Sequence, residues 1–172
     1  MATNDEWAIG YARQARADFA TYQILQGDSR VPQCHKLQFL QMACEKLVKA
    51  HLIKGGTDPK TLQSSHGYVA GTLPLVIRQQ LTSTEISTHN SAWTMKHARL
   101  ISAEIELLAP AIKRGGTRPD NCEYPWEDAT EALRTPLDWK FKPSALLLTK
   151  AGPTFLKLIL EAIHRLHMAE GE

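Results

Sequence analysis

Three groups of residues carry the side chains that chemistry would need. The first runs from Gln41 to Leu52 and contains Glu45, Lys46 and Lys49, with His51 near its end. Glutamate four residues before lysine is the favourable order for an ion pair on a helix, so Glu45 and Lys49 can support a helical face. Lys46 and Lys49 lie close together on that face, where two ammonium groups suit an anion; an ordinary solvated face uses the same residues. The second group is the stretch Arg114 to Glu127, which mixes Arg114, Arg118, Tyr124 and Trp126 with paired glycines and carboxylates. Such loops present donors and stacking rings to bases or phosphates. They serve more often to pin a long connection by burying their aromatics. The third group is His164 and His167, three residues apart. A shared metal would need further ligands, and only Glu161 is near; histidines close to a helix C-terminus also offset its dipole. No metal and no cofactor is expected.

The helices that would position these groups are legible in the apolar spacing. Thr3 and Glu6 form a capping box, after which Trp7, Tyr11, Ala15, Phe19 and Tyr22 make one stripe, with Arg13, Arg16 and Asp18 off it. Gly27-Asp28-Ser29 stops that helix. Beyond Pro32, Leu37, Leu40, Cys44, Leu47 and Val48 define a second buried face, closed by Gly55-Gly56. The short connection favours an antiparallel hairpin. His66 to Leu81 reads as helical, with a break or kink at Gly71 and Pro74. Thr82 to Ser91 reads as a loop. Trp93, His97, Ile101, Ile105, Leu108 and Ile112 mark the next helix and make His97 a core histidine. Glu127 to Leu133 reads as a short helix. A last helix starts near Thr149, with Pro153 in its first turn and Phe155, Ile159, Ala162, Ile163 and Leu166 inward. No strand-like alternation appears. The expected architecture is all-α, an up-and-down bundle of four or five helices forming one domain over residues 1–172.

Composition narrows the class. The 172 residues are 43% apolar and 22% charged, which suits one packed core. Twenty basic against 18 acidic residues leave a net charge of +2. Binding to nucleic acid by bulk charge normally needs a basic excess, so contact with RNA would have to be local. Cys34, Cys44 and Cys122 are odd in number and widely spaced. They suit small core residues in a reducing cytoplasm rather than disulfides, zinc ligands or nucleophiles. No apolar run approaches the roughly 20 residues that cross a bilayer, so no membrane partner is expected. There is no glycine-rich phosphate loop and no nucleophile elbow.

The string from Gln41 through Glu45-Lys46 and Lys49-Ala50 to Gly55-Gly56 resembles the pattern of the HEPN family of small helical bundles. Ala17-Asp18-Phe19 with Tyr22 and Leu25 before it, and Ser65-His66 after it, are similar in type and order. Asn121 to Pro125 is similar to the family's Arg-Tyr-Pro turn, with Glu123 in the arginine's place. The resemblance covers most of residues 7–168 and is closest up to about residue 70. It implies a bundle that self-associates as a homodimer. It also implies a nucleotide, an RNA or a nucleotidyltransferase partner protein as the companion, in a toxin–antitoxin or defence pair. Lys46, Lys49, Arg78, Arg114, Arg118, Tyr124 and Trp126 are then the residues expected at a ligand or partner surface.

Many HEPN proteins cleave RNA without metal, using an arginine and a histidine separated by four to six residues near the start of a late helix. Histidine moves the 2′-hydroxyl proton and arginine grips the phosphate. Here Arg134 has no histidine in range, and Arg165 has His167 only two residues on. Arg30 and His35 have the spacing but lie in the first interhelical connection, outside the family's context. A non-catalytic binding module is therefore the favoured expectation. The rivals are a dimeric metal-independent endoribonuclease using Arg30 and His35, or a divergent His66 or His97, and a scaffolding subunit of a larger complex.

Overall fold

The computed structural model describes residues 2–83, 91–110 and 120–168, with the side chains of 167 and 168 left aside. The fold is an all-α helical bundle. Helix α1 spans Asn4–Gln26 and α2 spans Gln33–Lys54; a short α3, Pro59–Gln63, leads to α4, Val69–Ser83. Helix α5 covers Ser91–Glu106, α6 covers Lys142–Leu147 and α7 covers Ala151–Met168.

The start of α1 is fixed locally. The Thr3 hydroxyl accepts from the Glu6 amide at 3.2 Å, and the Glu6 carboxylate accepts from the Thr3 amide at 2.7 Å. Two orphan donors of the first turn are satisfied at once. Helices α1 and α2 pack along their length and run antiparallel. Ala8 shares a cluster with Ile53, Asp18 meets Lys46, and Tyr22 lies in the core with Leu40. The inward row of α2 is as its spacing predicts, since Leu37, Leu40, Cys44, Leu47 and Val48 are all buried. One apolar core joins α1, α2, α4, α5 and α7, with Phe19, Leu47, Ile77, Ile101 and Phe155 among its members.

Several expectations are corrected. Helix α4 runs unbroken through Gly71 and Pro74, and Pro74 is buried inside it. Its first turn is tied down from outside, because the Glu106 carboxylate accepts from the Ala70 amide at 2.8 Å. A negative charge at a helix start satisfies an orphan donor and complements the dipole there. The expected loop from Thr82 begins later, as α4 extends to Ser83; residues 84–90 lie outside the described residues. In α5 the inward residues are Thr94, Met95, Ala98, Ile101, Ser102 and Ile105. Trp93 is 42% exposed and His97 half-buried, so both stand on the outer face, with their rings 4.2 Å apart. His97 is not a core residue. Ile112 lies outside the described residues.

The segment read as a helix over Glu127 to Leu133 is a hairpin instead. Two-residue strands β1, Trp126–Glu127, and β2, Leu133–Arg134, pair antiparallel. The Asp128 side chain accepts from the amides of Thr130 at 2.8 Å and Ala132 at 3.2 Å, and from Arg134 Nε at 2.6 Å. Such local bonds compete with helix formation. Glu131 adopts φ 61°, which no helix continues through. A further bond from the Thr130 hydroxyl at 2.6 Å, then those from Arg134 and the Thr130 amide, hold the Asp128 carboxyl well below the ordinary carboxylate range.

The junction between α6 and α7 depends on a missing side chain. A Cβ at Gly152 would sit 1.9 Å from the Leu147 carbonyl oxygen, a backbone atom with nowhere to go. Gly152→Ala should lower unfolding stability by about 1–3 kcal/mol in urea titration, the usual cost of overpacking. An unchanged midpoint would mean that the junction is open rather than tight.

Candidate functional site

The α1–α2 interface carries a polar seam beside its apolar core. Trp7, Tyr11, Gln14 and Asp18 recur at three- and four-residue spacing and so share one side of α1. On α2, Gln41, Glu45 and Lys49 do the same, with Lys46 adjacent. Asp18 accepts from Lys46 Nζ through Oδ2 and from Gln14 Nε2 through Oδ1, the latter at 3.1 Å. Glu45 accepts from Lys49 Nζ at 2.7 Å and from Gln41 Nε2 at 2.8 Å. His66, from the turn before α4, places Nδ1 3.1 Å from the same carboxylate.

Electrostatics make this seam consequential. Asp18 is buried, and the side chains of Lys49 and Lys46 are 5% and 24% exposed. Removing such charges from water is costly unless each finds a partner and further hydrogen bonds. Burial on its own pushes the Glu45 carboxyl up; the Lys49 hydrogen bond and charge, with Gln41 and His66, outweigh it and hold the group below its ordinary value. Burial, and then the Glu45 charge, push the Tyr11 phenol up, which places Tyr11 within electrostatic reach of the seam.

A cleft of about 470 Å³ opens beside the seam, lined by Ala2, Glu6, Trp7, Gly10, Tyr11, Gln14 and Lys46. That volume falls in the range of small-molecule sites. Its floor is aromatic, with Trp7 and Tyr11 in contact at 6.2 Å between centroids and 32° between planes. The Glu6 carboxylate is hydrogen-bonded by Thr3 and keeps its charge, and Lys46 is paired with Asp18, so the polar edge carries no surplus of positive charge.

The residues singled out in the sequence fall in separate places. Lys46 lines the cleft; Lys49 is buried behind it and committed to Glu45. Arg78 is exposed on α4. Arg114 and Arg118 lie outside the described residues. Trp126 is buried against Trp139 in an edge-on contact at 5.4 Å, while Tyr124 is 60% exposed. Of that aromatic pair, only Trp126 anchors the segment. Asn121 shapes the turn, its side-chain oxygen accepting from the amides of Glu123 and Tyr124 at 2.8 and 2.7 Å. Arg30 is paired with Asp28 at 2.8 Å, and His35 is exposed in the first turn of α2. His164 is exposed, and the side chain of His167 lies outside the description; no metal-binding group of His, Cys, Asp or Glu occurs among the described residues. All three cysteines are buried, and burial pushes the Cys34 and Cys44 thiols up, away from reactivity.

Asp18, Gln14 and Trp7 were not singled out as site residues in the sequence. Asp18 stands off the apolar stripe yet is 5% exposed, because Lys46 reaches it from α2. The available signal was Gln14 and Asp18 four apart, opposite a lysine-bearing helix. A second cleft, of about 540 Å³, is lined by His51, Lys54, Gln79 and Arg165 among others. His51 and Lys54 stand in the last turn of α2 and Arg165 in the last turn of α7, where cations offset helix dipoles. No described helix is long and apolar enough to cross a membrane. No protein-family model, curated protein or solved structure matches the chain.

The seam makes two linked predictions. Glu45→Ala strands a buried Lys49 ammonium and should cost about 3–5 kcal/mol in urea unfolding, whereas Lys49→Met should cost less. The folded Glu45 pKa lies below its ordinary 4.5, so its contribution is complete above that value. It fades as pH falls through the lowered folded value. Unfolding titrations of wild type and Glu45→Gln should therefore converge towards acid pH; a constant gap across the range would contradict the ion pair.

Proposed function

We propose that this chain is a non-catalytic, HEPN-like binding module whose α1–α2 cleft takes the base of a nucleotide or of single-stranded RNA. The observation that carries this reading is the composition of the cleft: an aromatic floor of Trp7 and Tyr11 beside the polar groups of Gln14 and Lys46. Base-on-aromatic stacking tolerates every base and needs no excess positive charge, which agrees with a net charge of only +2. The resemblance of Glu45-Lys46, Lys49-Ala50 and Ser65-His66 to the HEPN pattern supports the same reading, since Lys46 lines the cleft and Glu45, Lys49 and His66 belong to the seam beside it. On this reading the chain works as a homodimer with a nucleotidyltransferase-type partner, in a toxin–antitoxin or defence pair.

The ribonuclease alternative has weaker support. Arg30 is held by Asp28, His66 by Glu45, and His97 hydrogen-bonds the Trp93 carbonyl at 2.8 Å. None of these pairs places an arginine beside a histidine within one chain.

Calorimetric titration with mononucleotides and short single-stranded RNA tests the site. Wild type should bind, Trp7→Ala should bind about tenfold more weakly through loss of a stacking face, and Trp93→Ala should match wild type. Equal affinity in Trp7→Ala, or no binding by wild type, would reject the cleft as the site.

A further inference from the structure

We propose that the second cleft, between the end of α2 and the end of α7, binds the phosphate group of a small phosphomonoester. The observation that carries this is the convergence of Lys54 from α2 and Arg165 from α7 on one cleft of about 540 Å³. His51 and Gln79 stand beside them, and among the described residues no carboxylate lines the cleft. The proposal goes beyond the nucleotide reading, since this cleft shares no lining residue with the one between α1 and α2.

Lys46 and Lys49 of the seam each meet a carboxylate, and the cations of this cleft do not. Among the described residues neither Lys54 nor Arg165 forms an ion pair. Arg165 turns towards α4, where the Ser83 hydroxyl and carbonyl, both neutral, accept from its two terminal nitrogens. Glu161, one turn earlier on α7, pairs with Lys157 at 3.8 Å instead. Offsetting a dipole accounts for a cation at each helix end. It does not account for two of them lining one cleft. At α2, moreover, the closing turn already serves the last carbonyls: His51, Leu52 and Ile53 accept from the amides of Gly55, Thr57 and Gly56 at 3.1, 3.0 and 2.9 Å. Two like charges held near one another repel, and an anion between them reverses that.

The donors set the class of anion. Arg165 gives two of its five N–H groups to Ser83 and keeps three, and the Lys54 ammonium has three. Burial holds the His51 imidazole below its ordinary value, so near neutral pH it brings a ring N–H and no charge. Two positive charges and this many donors match the near-dianion and three terminal oxygens of a phosphomonoester. A carboxylate offers one charge and two oxygens. Val76 and Leu166 make part of the wall apolar, and the volume suits a small molecule more than a bare ion, so the organic group of an ester has a place there.

Calorimetry at low salt with phenyl phosphate, inorganic phosphate and benzoate tests this. Phenyl phosphate should bind, and the other two should bind about tenfold more weakly, inorganic phosphate for want of an apolar group and benzoate for want of charge. Arg165→Gln and Lys54→Gln should each weaken phenyl phosphate about tenfold, while Trp7→Ala should leave it unchanged. Lys54 is exposed, so Lys54→Gln stands as the test if the thermal melt shows that Arg165→Gln has disturbed the fold through Ser83. No binding of phenyl phosphate, equal binding by wild type and Lys54→Gln, or loss of binding in Trp7→Ala would overturn the inference. So would inorganic phosphate or benzoate binding as tightly as phenyl phosphate. Uridine, which has no phosphate, should bind Lys54→Gln and wild type alike, so Trp7-dependent uridine binding keeps the first cleft whatever phenyl phosphate does. A mononucleotide carries the phosphate as well, and its binding between α1 and α2 is therefore read in Lys54→Gln.

Discussion

The structure turns on two carboxylates, Asp18 buried and Glu45 largely covered, set against two lysines where α1 meets α2. Asp18 and Glu45 would each be costly in the interior alone, as would Lys46 and Lys49. Taken together they neutralise one another, and Gln14, Gln41 and His66 satisfy the remaining oxygens. Apolar packing holds many helix pairs together in more than one register. A buried pair of opposite charges tolerates only one, because a slip along the helix would leave two charges unpartnered.

That register has consequences on both sides of the seam. Inward, it sets Phe19 and Tyr22 against Leu40, Cys44 and Leu47, the residues around which α4, α5 and α7 close. Outward, it brings Lys46 to the Trp7–Tyr11 floor and leaves the cleft with hydrogen-bonding groups but no surplus of positive charge. The cleft is a by-product of the way α1 and α2 are locked, since α1 supplies its aromatic floor and α2 its ammonium group.

Much of this was readable in the sequence, for local reasons. The capping box, the α2 apolar row, the glycine stop and the proline in the first turn of α7 are each decided by residues within a few positions of one another. What escaped was decided at a distance or by competing local bonds. Asp18 reads as a surface residue until a lysine 28 positions on reaches it. Lys49 reads as a solvated cation, because nothing in α2 alone says that α1 and His66 will cover it. Trp93 and His97 keep helical spacing yet face outward, since the phase of an amphipathic helix depends on which neighbours it meets. The segment after Trp126 has helix-like composition, but Asp128 draws the nearby amides to itself and Glu131 turns left-handed. Of the candidate site, the sequence showed the lysines and their glutamate; it did not show that they are internal partners instead of a charged surface.

The distinction between an internal ion pair and a phosphate-gripping surface has a direct measure in the salt dependence of nucleotide binding. If Asp18 and Glu45 neutralise Lys46 and Lys49 and the base is held by stacking and short hydrogen bonds, few counterions are released on binding. Affinity for a mononucleotide should then stay nearly constant as salt is raised from low to well above physiological strength. A steep linear fall of log affinity with log salt would show the lysines free to meet phosphate, and would contradict the account.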